Sequence, residues 1–387
     1  MILSAHTYSP DDQTWSDSHT LSQQADHVAI FAFGDHTHFR NQTALHQLHT
    51  LNPDAHLIGC STAGEILQGH VYDESLHAVR VEFERSRLKS FSITLQDDIS
   101  DRDTGKQLGQ QICESEQPAM VYILAEGVRI NGDYFLEGLN ATIPSDVLIV
   151  GGLAGDDASF EETFVVHNNT VNSRSVVALA IYGDYLSTVQ SSEGGWDTFG
   201  PLRSVTRSEE ATVYELDGQP ALDLYKKYLG DLAADLPASG LRFPLAITTS
   251  PSQNCKDHIV RTILAVDEEE HSISFAGNIP QGSTVWLMKA NRESLISGAE
   301  DASQILIDRA PQDIPLLVLA VSCVSRRLVM GERTEEELDL LWESLPKGSI
   351  LTGFYSFGEI APGTTTPSRS VLHNQTMTLT MIYERTP

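Results

Sequence analysis

Two stretches at opposite ends of the chain read alike. Residues 57–67 are LIGCSTAGEIL and residues 351–361 are LTGFYSFGEIA. Leu57, Gly59, Gly64, Glu65 and Ile66 align with Leu351, Gly353, Gly358, Glu359 and Ile360. Each stretch opens apolar, as a buried strand does, and closes through a turn on Gly-Glu. The contexts also match. Upstream of the first copy, VAIFAF (28–33) is a short apolar run typical of a buried strand, and Leu45, Leu48 and Leu51 follow at helical spacing. Asn52-Pro53 stops that helix, and HLIGC is the next strand. Upstream of the second copy, residues 316–321 (LLVLAV) form a strand. Thr334 opens a helix, with Glu337 in capping-box position and Leu338, Leu341, Trp342 and Leu345 as its apolar face. A parallel pair joined this way crosses over right-handed. This shared context implies an ancient duplication. The expected fold class is α+β or mixed α/β: two duplicated halves with central mixed β-sheets flanked by helices. Ligand sites often lie between such copies.

The middle of the chain varies the theme. MVYIL (120–124) reads as a strand, Phe135, Leu136 and Leu139 as a helix face, and DVLIV (146–150) as a strand opening onto GGLAGDD (151–157). Strands are expected at 164–166 and 175–182, a helix at 220–229 with Pro at its first turn and Gly230 past its end, and another helix near 292–309. The runs 258–266, 272–276 and 284–288 read as a meander, which argues against a purely parallel sheet. Gly194-Gly195 and Gly200-Pro201 mark a loop-rich connection, so the expected domains are 1–195 and 196–387.

A chain of 387 residues has room for two or three domains. Asp plus Glu number 53 against 25 Lys plus Arg, a formal charge of −28, which disfavours nucleic acid and anionic membrane as partners. No apolar run reaches the roughly 18 to 20 residues of a membrane span, and MILSAHTYSPDD lacks the features of a signal peptide. Cys60, Cys113, Cys255 and Cys323 lie far apart without a CxxC pair, which does not read as a disulfide framework. The cytoplasm is the expected compartment.

Three readings of GCSTAGEI stand open: a nucleophile at Cys60 or Ser61 on a tight turn, a ligand cradle of backbone N–H groups with Ser61 and Thr62, or a bend capped by Glu65. Recurrence of Gly-Glu in the second copy favours the cradle. GGLAGDD fails as a phosphate loop, since no Gly-Lys-Ser/Thr follows and Asp156 and Asp157 would repel phosphate. His36 and His38 in GDHTH would share a face on a strand, but a metal would need a third ligand and none is evident. His258 and His373 each head a strand. Without CxxCH, haem cannot be attached covalently in the usual way, whereas non-covalent haem leaves almost no sequence trace. Cys323 and Arg326, in VSCVSRR, follow a strand end where α/β layers place ligands, and Arg326 can hold a carboxylate bidentately.

GCSTAGEI after a strand, GGLAGDD, VSCVSRR, GFYSFGEIAP and the terminal HNQTMTLT together resemble the FIST family (F-box and intracellular signal transduction proteins), over nearly the whole chain. The resemblance implies a sensory, small-ligand-binding module with an N-terminal and a C-terminal FIST region and no enzyme activity of its own. Stand-alone members of this length resemble nitric-oxide-sensing haem proteins (NosP). These hold haem b non-covalently through histidine and regulate a histidine kinase, diguanylate cyclase or phosphodiesterase by contact. A homodimer is compatible with that role. Carried over by motif, the implied ligand-binding residues are Gly59, Ser61, Thr62, Gly64, Glu65, Gly155, Asp156, Arg326, Tyr355, Gly358, Glu359 and Asn374, with His258 and His373 as candidate haem ligands. The alternatives are a FIST sensor for an amino acid or small carboxylate without haem, and a Cys-dependent enzyme.

Overall fold

The computed structural model describes residues 1–21, 23, 25–157, 159–248, 258–363 and 369–385. The apolar runs on either side of each helix pair as parallel strands, and the unit they form occurs three times. Unit one comprises β1 (Ile2–Ser9), β2 (Val28–Gly34), α1 (His36–Asn41), α2 (Thr43–Leu51), β3 (His56–Ser61), the hairpin β4 (Glu65–Leu67) and β5 (His70–Tyr72), and β6 (Leu76–Glu82). β2 and β3 are parallel, and β6 lies antiparallel between β2 and β1. Unit two repeats this with β7 (Arg87–Thr94), α3 (Asp101–Cys113), β8 (Met120–Ala125), α4 (Gly132–Asn140), β9 (Leu148–Leu153), the hairpin β10 (Val165–His167) and β11 (Thr170–Asn172), and β12 (Ser175–Tyr182).

Unit three opens with β13 (Leu186–Glu193) and is then interrupted. The described residues between 197 and 289 build a separate nine-stranded antiparallel sheet around α5 (Ala221–Leu229); its edge strand β14 (His258–Arg261) carries His258. The unit resumes with α6 (Arg292–Ile307), β15 (Leu317–Cys323), α7 (Val324–Met330), α8 (Glu336–Ser344), β16 (Ile350–Ser356), the hairpin β17 (Gly358–Pro362) and β18 (Ser370–His373), and β19 (Met377–Glu384). The expected mixed α+β class with helix-flanked mixed sheets is what the chain adopts. The two aligned Gly-Glu stretches are the first and third members of a triplicated unit.

The hairpins close the three units into a ring, because none stays in its own sheet. β4 of unit one pairs with β16 of unit three, Glu65 opposite Phe354. β10 of unit two pairs with β3 of unit one, Val165 opposite Cys60. β17 of unit three pairs with β9 of unit two, Glu359 opposite Gly152. One glycine per unit marks the equivalence. A Cβ on Gly59, Gly151 or Gly353 would stand 2.1, 1.8 or 1.7 Å from the carbonyl oxygen of Ala32, Ile123 or Ala320 on the adjacent parallel strand. Side chains from all three units fill one inner core, where Phe33 stacks on Phe354 at 5.0 Å and Phe31 meets the edge of Tyr122 at 5.5 Å. Burial on both faces is why these strands read as continuous apolar runs.

Two local expectations change. GDHTH is not a strand: Asp35 caps α1, accepting from the Thr37 N–H at 2.8 Å, so His36 and His38 fall on different helix faces. The Thr334–Glu337 capping box does not form, because α8 begins at Glu336 and the Glu337 carboxylate is committed to Arg326. Among the described residues, no helix is long and apolar enough to cross a membrane.

Candidate functional site

The GCSTAGE turn sits where the three units meet. Ser61 Oγ donates to the Gly155 carbonyl at 2.8 Å and accepts from the Phe164 N–H at 2.9 Å. The Gly155 N–H returns a bond to the Ser61 carbonyl at 2.9 Å. Ala63 N–H donates to the Tyr355 carbonyl and Tyr355 N–H to the Gly64 carbonyl, both at 2.9 Å. Gly64 holds φ +126°, and a side chain there would strike the Arg327 guanidinium. Arg327 itself donates to the Ala63 carbonyl and to both oxygens of Asp73, each at 2.7 Å. Asp156 accepts the N–H groups of Phe160, Glu161 and Glu162 at 2.7 to 2.9 Å and so caps its own loop. The motif residues therefore spend their polar groups on one another, and the turn acts as a three-way fastening.

The shared Gly-Glu pair has one chemistry in both copies. Glu65 accepts from the Thr62 hydroxyl, from Ser75 Oγ at 2.6 Å and from Ser75 N–H at 3.3 Å. Glu359 accepts from Ser356 Oγ at 3.0 Å, Thr376 Oγ1 at 2.8 Å and Thr376 N–H at 3.0 Å. Both carboxyls are fully buried, and their hydrogen-bond partners among the described residues are hydroxyls and backbone N–H groups rather than cations. Burial pushes each up to about 7, against the pull of these hydrogen bonds.

Arg326 is fully buried and already holds a carboxylate, that of Glu337. Its Nε and one terminal nitrogen reach Glu337 Oε2 at 3.2 and 3.0 Å, and the terminal nitrogens also donate to the carbonyls of Gly194 and Leu295 at 2.7 and 2.9 Å. Glu337 Oε1 takes the Tyr355 hydroxyl at 2.6 Å and Ser322 Oγ at 3.0 Å. The carboxylate sought for Arg326 is thus internal, held through one oxygen rather than bidentately. Cys60 and Cys323 are buried as well. Burial raises the Cys60 thiol well above its usual range and pushes Cys323 up to about 12, which suits packing rather than attack. Cys255 lies outside the described residues.

The structure does bring His258 and His373 together, at a cavity of about 400 Å³ where the inserted sheet meets unit three. Glu193, Trp196, Asp197 and Asp301 also line it, and Thr376 ties it to the Glu359 carboxyl behind. The Trp196 indole N–H donates to the Gln375 carbonyl at 2.9 Å. Gly195, at φ +73°, lies tight against the Ser294 backbone of α6, which brings the acidic loop onto the cavity. His373 is buried, with its Nε2 3.2 Å from the Pro362 carbonyl oxygen, and burial lowers it to about 4, so its ring is neutral. Gly358 and Asn374 stand just behind the wall, where Asn374 Nδ2 donates to the His373 carbonyl at 3.0 Å. Gly59, Ser61, Thr62, Gly64, Glu65, Gly155, Asp156 and Tyr355 stay at the junction. Sequence reasoning treated Gly194-Gly195 as a loop marker only and missed its acidic and aromatic neighbours. The one signal was the cluster Glu193, Trp196 and Asp197 around two glycines.

A second cluster joins two motifs that the sequence kept apart. Asp157 of GGLAGDD comes up to Asp35 and His36 of GDHTH, with His36 Nδ1 3.4 Å from Asp35 Oδ2 and 3.6 Å from Asp157 Oδ2.

The FIST N domain matches residues 28–219 and the FIST C domain matches residues 221–362. An uncharacterised protein of Methanocaldococcus jannaschii is 28% identical over 215 residues, covering 53% of this chain and 40% of that protein, so the match spans well under half of the relative's length. FIST domains are signal-transduction sensor domains, and the two matches together take in most of the sequence. The chain belongs to the FIST family.

Proposed function

We propose that this sensor binds a small amine-bearing molecule, of the amino acid class, in the cavity between the inserted sheet and unit three, and signals by contact with a partner enzyme. One observation carries the reading. The cavity is of ligand size and is lined by Glu193, Asp197 and Asp301 beside Trp196, with no Lys or Arg among its described lining residues. Acidic groups around an indole suit an ammonium group, through charge and through the face of the ring. Neutral His373 and Thr376 add uncharged polar contacts to the lining. The lining suits haem poorly, because haem propionates want cations and a porphyrin wants apolar walls. Nitric oxide sensing through haem would require that lining to rearrange.

Thermal-shift screening of the full chain against amino acids and simple amines tests the reading, since a ligand that binds only the folded state raises the melting temperature. Asp301→Asn should weaken the affinity read from the ligand-concentration dependence of the shift by about tenfold or more, the scale of a lost charge-assisted bond of about 1.5 to 3 kcal/mol. A flat screen would overturn this reading, and a Soret band on adding haem that vanishes in His258→Ala or His373→Ala would replace it with the haem one.

A further inference from the structure

We propose that Asp35, His36 and Asp157 form a binding site for a divalent transition-metal ion, separate from the cavity that takes the sensed molecule. The three side chains come from two units: Asp35 and His36 follow β2 of unit one, and Asp157 follows β9 of unit two. One donor atom from each lies within 4.8 Å of the other two. His36 Nδ1 is buried and makes no hydrogen bond among the described residues, although it faces Asp35 Oδ2 at 3.4 Å and Asp157 Oδ2 at 3.6 Å. The two carboxylate oxygens repel unless a positive charge stands beside them, supplied either by a proton on His36 or by a metal ion that His36 and both carboxylates hold together. Their spacing fits such an ion: ligand atoms about 2.1 Å from a tetrahedral metal stand about 3.4 Å apart.

The surroundings act as a support for these ligands. The Asp35 side chain is only 4% exposed, and its Oδ1 is fixed as the α1 cap by the Thr37 N–H and hydroxyl, which leaves Oδ2 directed at His36. The Asp157 N–H donates to the Thr62 carbonyl at 3.3 Å, which anchors the second carboxylate to the GCSTAGE turn. One imidazole nitrogen with two carboxylate oxygens favours Zn²⁺, Mn²⁺ or Co²⁺ over Mg²⁺ and Ca²⁺, which prefer all-oxygen shells. Three protein ligands leave a position for water, on the side of the groove lined by Asp157, Val71, Arg327 and Thr334. A bound ion would tie the end of β2 to the end of β9 at the junction of units one and two.

The test is calorimetric titration of the chelator-stripped full chain with Zn²⁺, with Co²⁺ absorption as a report on coordination. Wild type should take up one equivalent of Zn²⁺, and Mg²⁺ should not compete. His36→Gln and Asp157→Asn should each weaken binding by about tenfold or more, the scale of losing one ligand of a small set. Asp73→Asn, a neighbouring carboxylate held by Arg327, should leave affinity within about threefold, as expected of a group outside the ligand set. Asp157 is half exposed, so its variant keeps the fold, and circular dichroism checks this. Absence of Zn²⁺ uptake would overturn the proposal. So would uptake that survives both substitutions, which would place the ion elsewhere among the 14 histidines.

Discussion

Glu65→Gln and Glu359→Gln should each make stability less dependent on pH, and the sign is fixed by the geometry. Each carboxyl is buried among hydroxyls and one N–H, and each titrates at about 7 in the folded chain against 4.5 when unperturbed. Below about pH 4.5 both states hold the proton, and the folded state carries its full advantage. Between about 4.5 and 7 the unfolded chain releases the proton first, so stability falls by up to about 1.4 kcal/mol per pH unit and per site. Above about 7 the loss levels off at roughly 3 kcal/mol per site. Glutamine is neutral throughout and preserves the shape. Its NH₂ can donate to the Thr62 or Ser356 hydroxyl, as a protonated carboxyl would. His77 and His373, which burial lowers to about 4, titrate in every variant, and their contribution drops out of the difference. Urea unfolding of wild type and both variants from roughly pH 5 to pH 8 measures that difference. The variants should gain on wild type as pH rises, with the gain complete by about pH 8. A difference that stays flat, or that is largest at the acid end, would refute the buried neutral carboxyls.

Glu337→Gln should cost about 3 to 5 kcal/mol in thermal or urea unfolding, because it leaves the Arg326 charge buried without its partner; a surface-like loss below about 1 kcal/mol would contradict the burial. A thiol reagent followed by peptide mass spectrometry should label Cys113 in the native chain ahead of Cys60 and Cys323, and all three once urea is added. Gly59→Ala should abolish soluble folding, because its Cβ would stand 2.1 Å from the Ala32 carbonyl oxygen. Gly218→Ala, at φ +71° with nothing within 4 Å, should cost only about 1 to 2 kcal/mol of backbone strain, read as a shift in urea midpoint.

Much of the fold was legible because it rests on local signals. VAIFAF, MVYIL and LLVLAV became the inner parallel strands, and Asn52 and Gly230 ended helices where the chain pattern placed them. The runs after residue 258 formed antiparallel strands but not a meander: 258–266 splits into two strands at opposite ends of the inserted sheet, and residues 284–289 pair with 245–248 and 203–204 rather than with 272–275. The exchange of hairpins was not legible, since β4, β10 and β17 are too short to say which sheet they join, and register between distant strands leaves no periodic mark. Unit two also hid its kinship, because the position of Glu65 and Glu359 falls there in the loop that follows Gly155. The site residues were legible as motifs and not as roles. Ser61, Thr62 and Tyr355 looked like ligand groups, but a buried hydroxyl must find a partner: Ser61 finds Gly155 and Phe164 of unit two, whereas Thr62 and Tyr355 find Glu65 and Glu337 of their own units. The cavity was missed because its acids come from a connection, an edge strand and a helix that only the folded chain brings together.

The three units end in one corner whose chemistry has diverged. Asp35 and Glu126 follow the inner parallel strand and Cys323 ends it, and each donates its N–H to the carbonyl of a hydroxyl residue, Ser75, Ser175 or Thr376, at 2.8, 3.1 and 3.2 Å. In unit one that corner carries a carboxylate beside His36 and Asp157. In unit two Glu126 folds back to accept the N–H groups of Val128, Arg129 and Ile130. In unit three a thiol takes the place of the acid, and Thr376 borders the cavity instead. Strand ends of this kind are where α/β layers place their ligands, so three copies offer three corners to specialise. The exchanged hairpins then decide what a ligand can move. His373 ends β18, and its partner strand β17 lies in the sheet of unit two, with Glu359 opposite Gly152. A ligand pressing on His373 and Thr376 therefore acts on a hairpin seated in a different unit, and β10 carries unit two onward into the sheet of unit one.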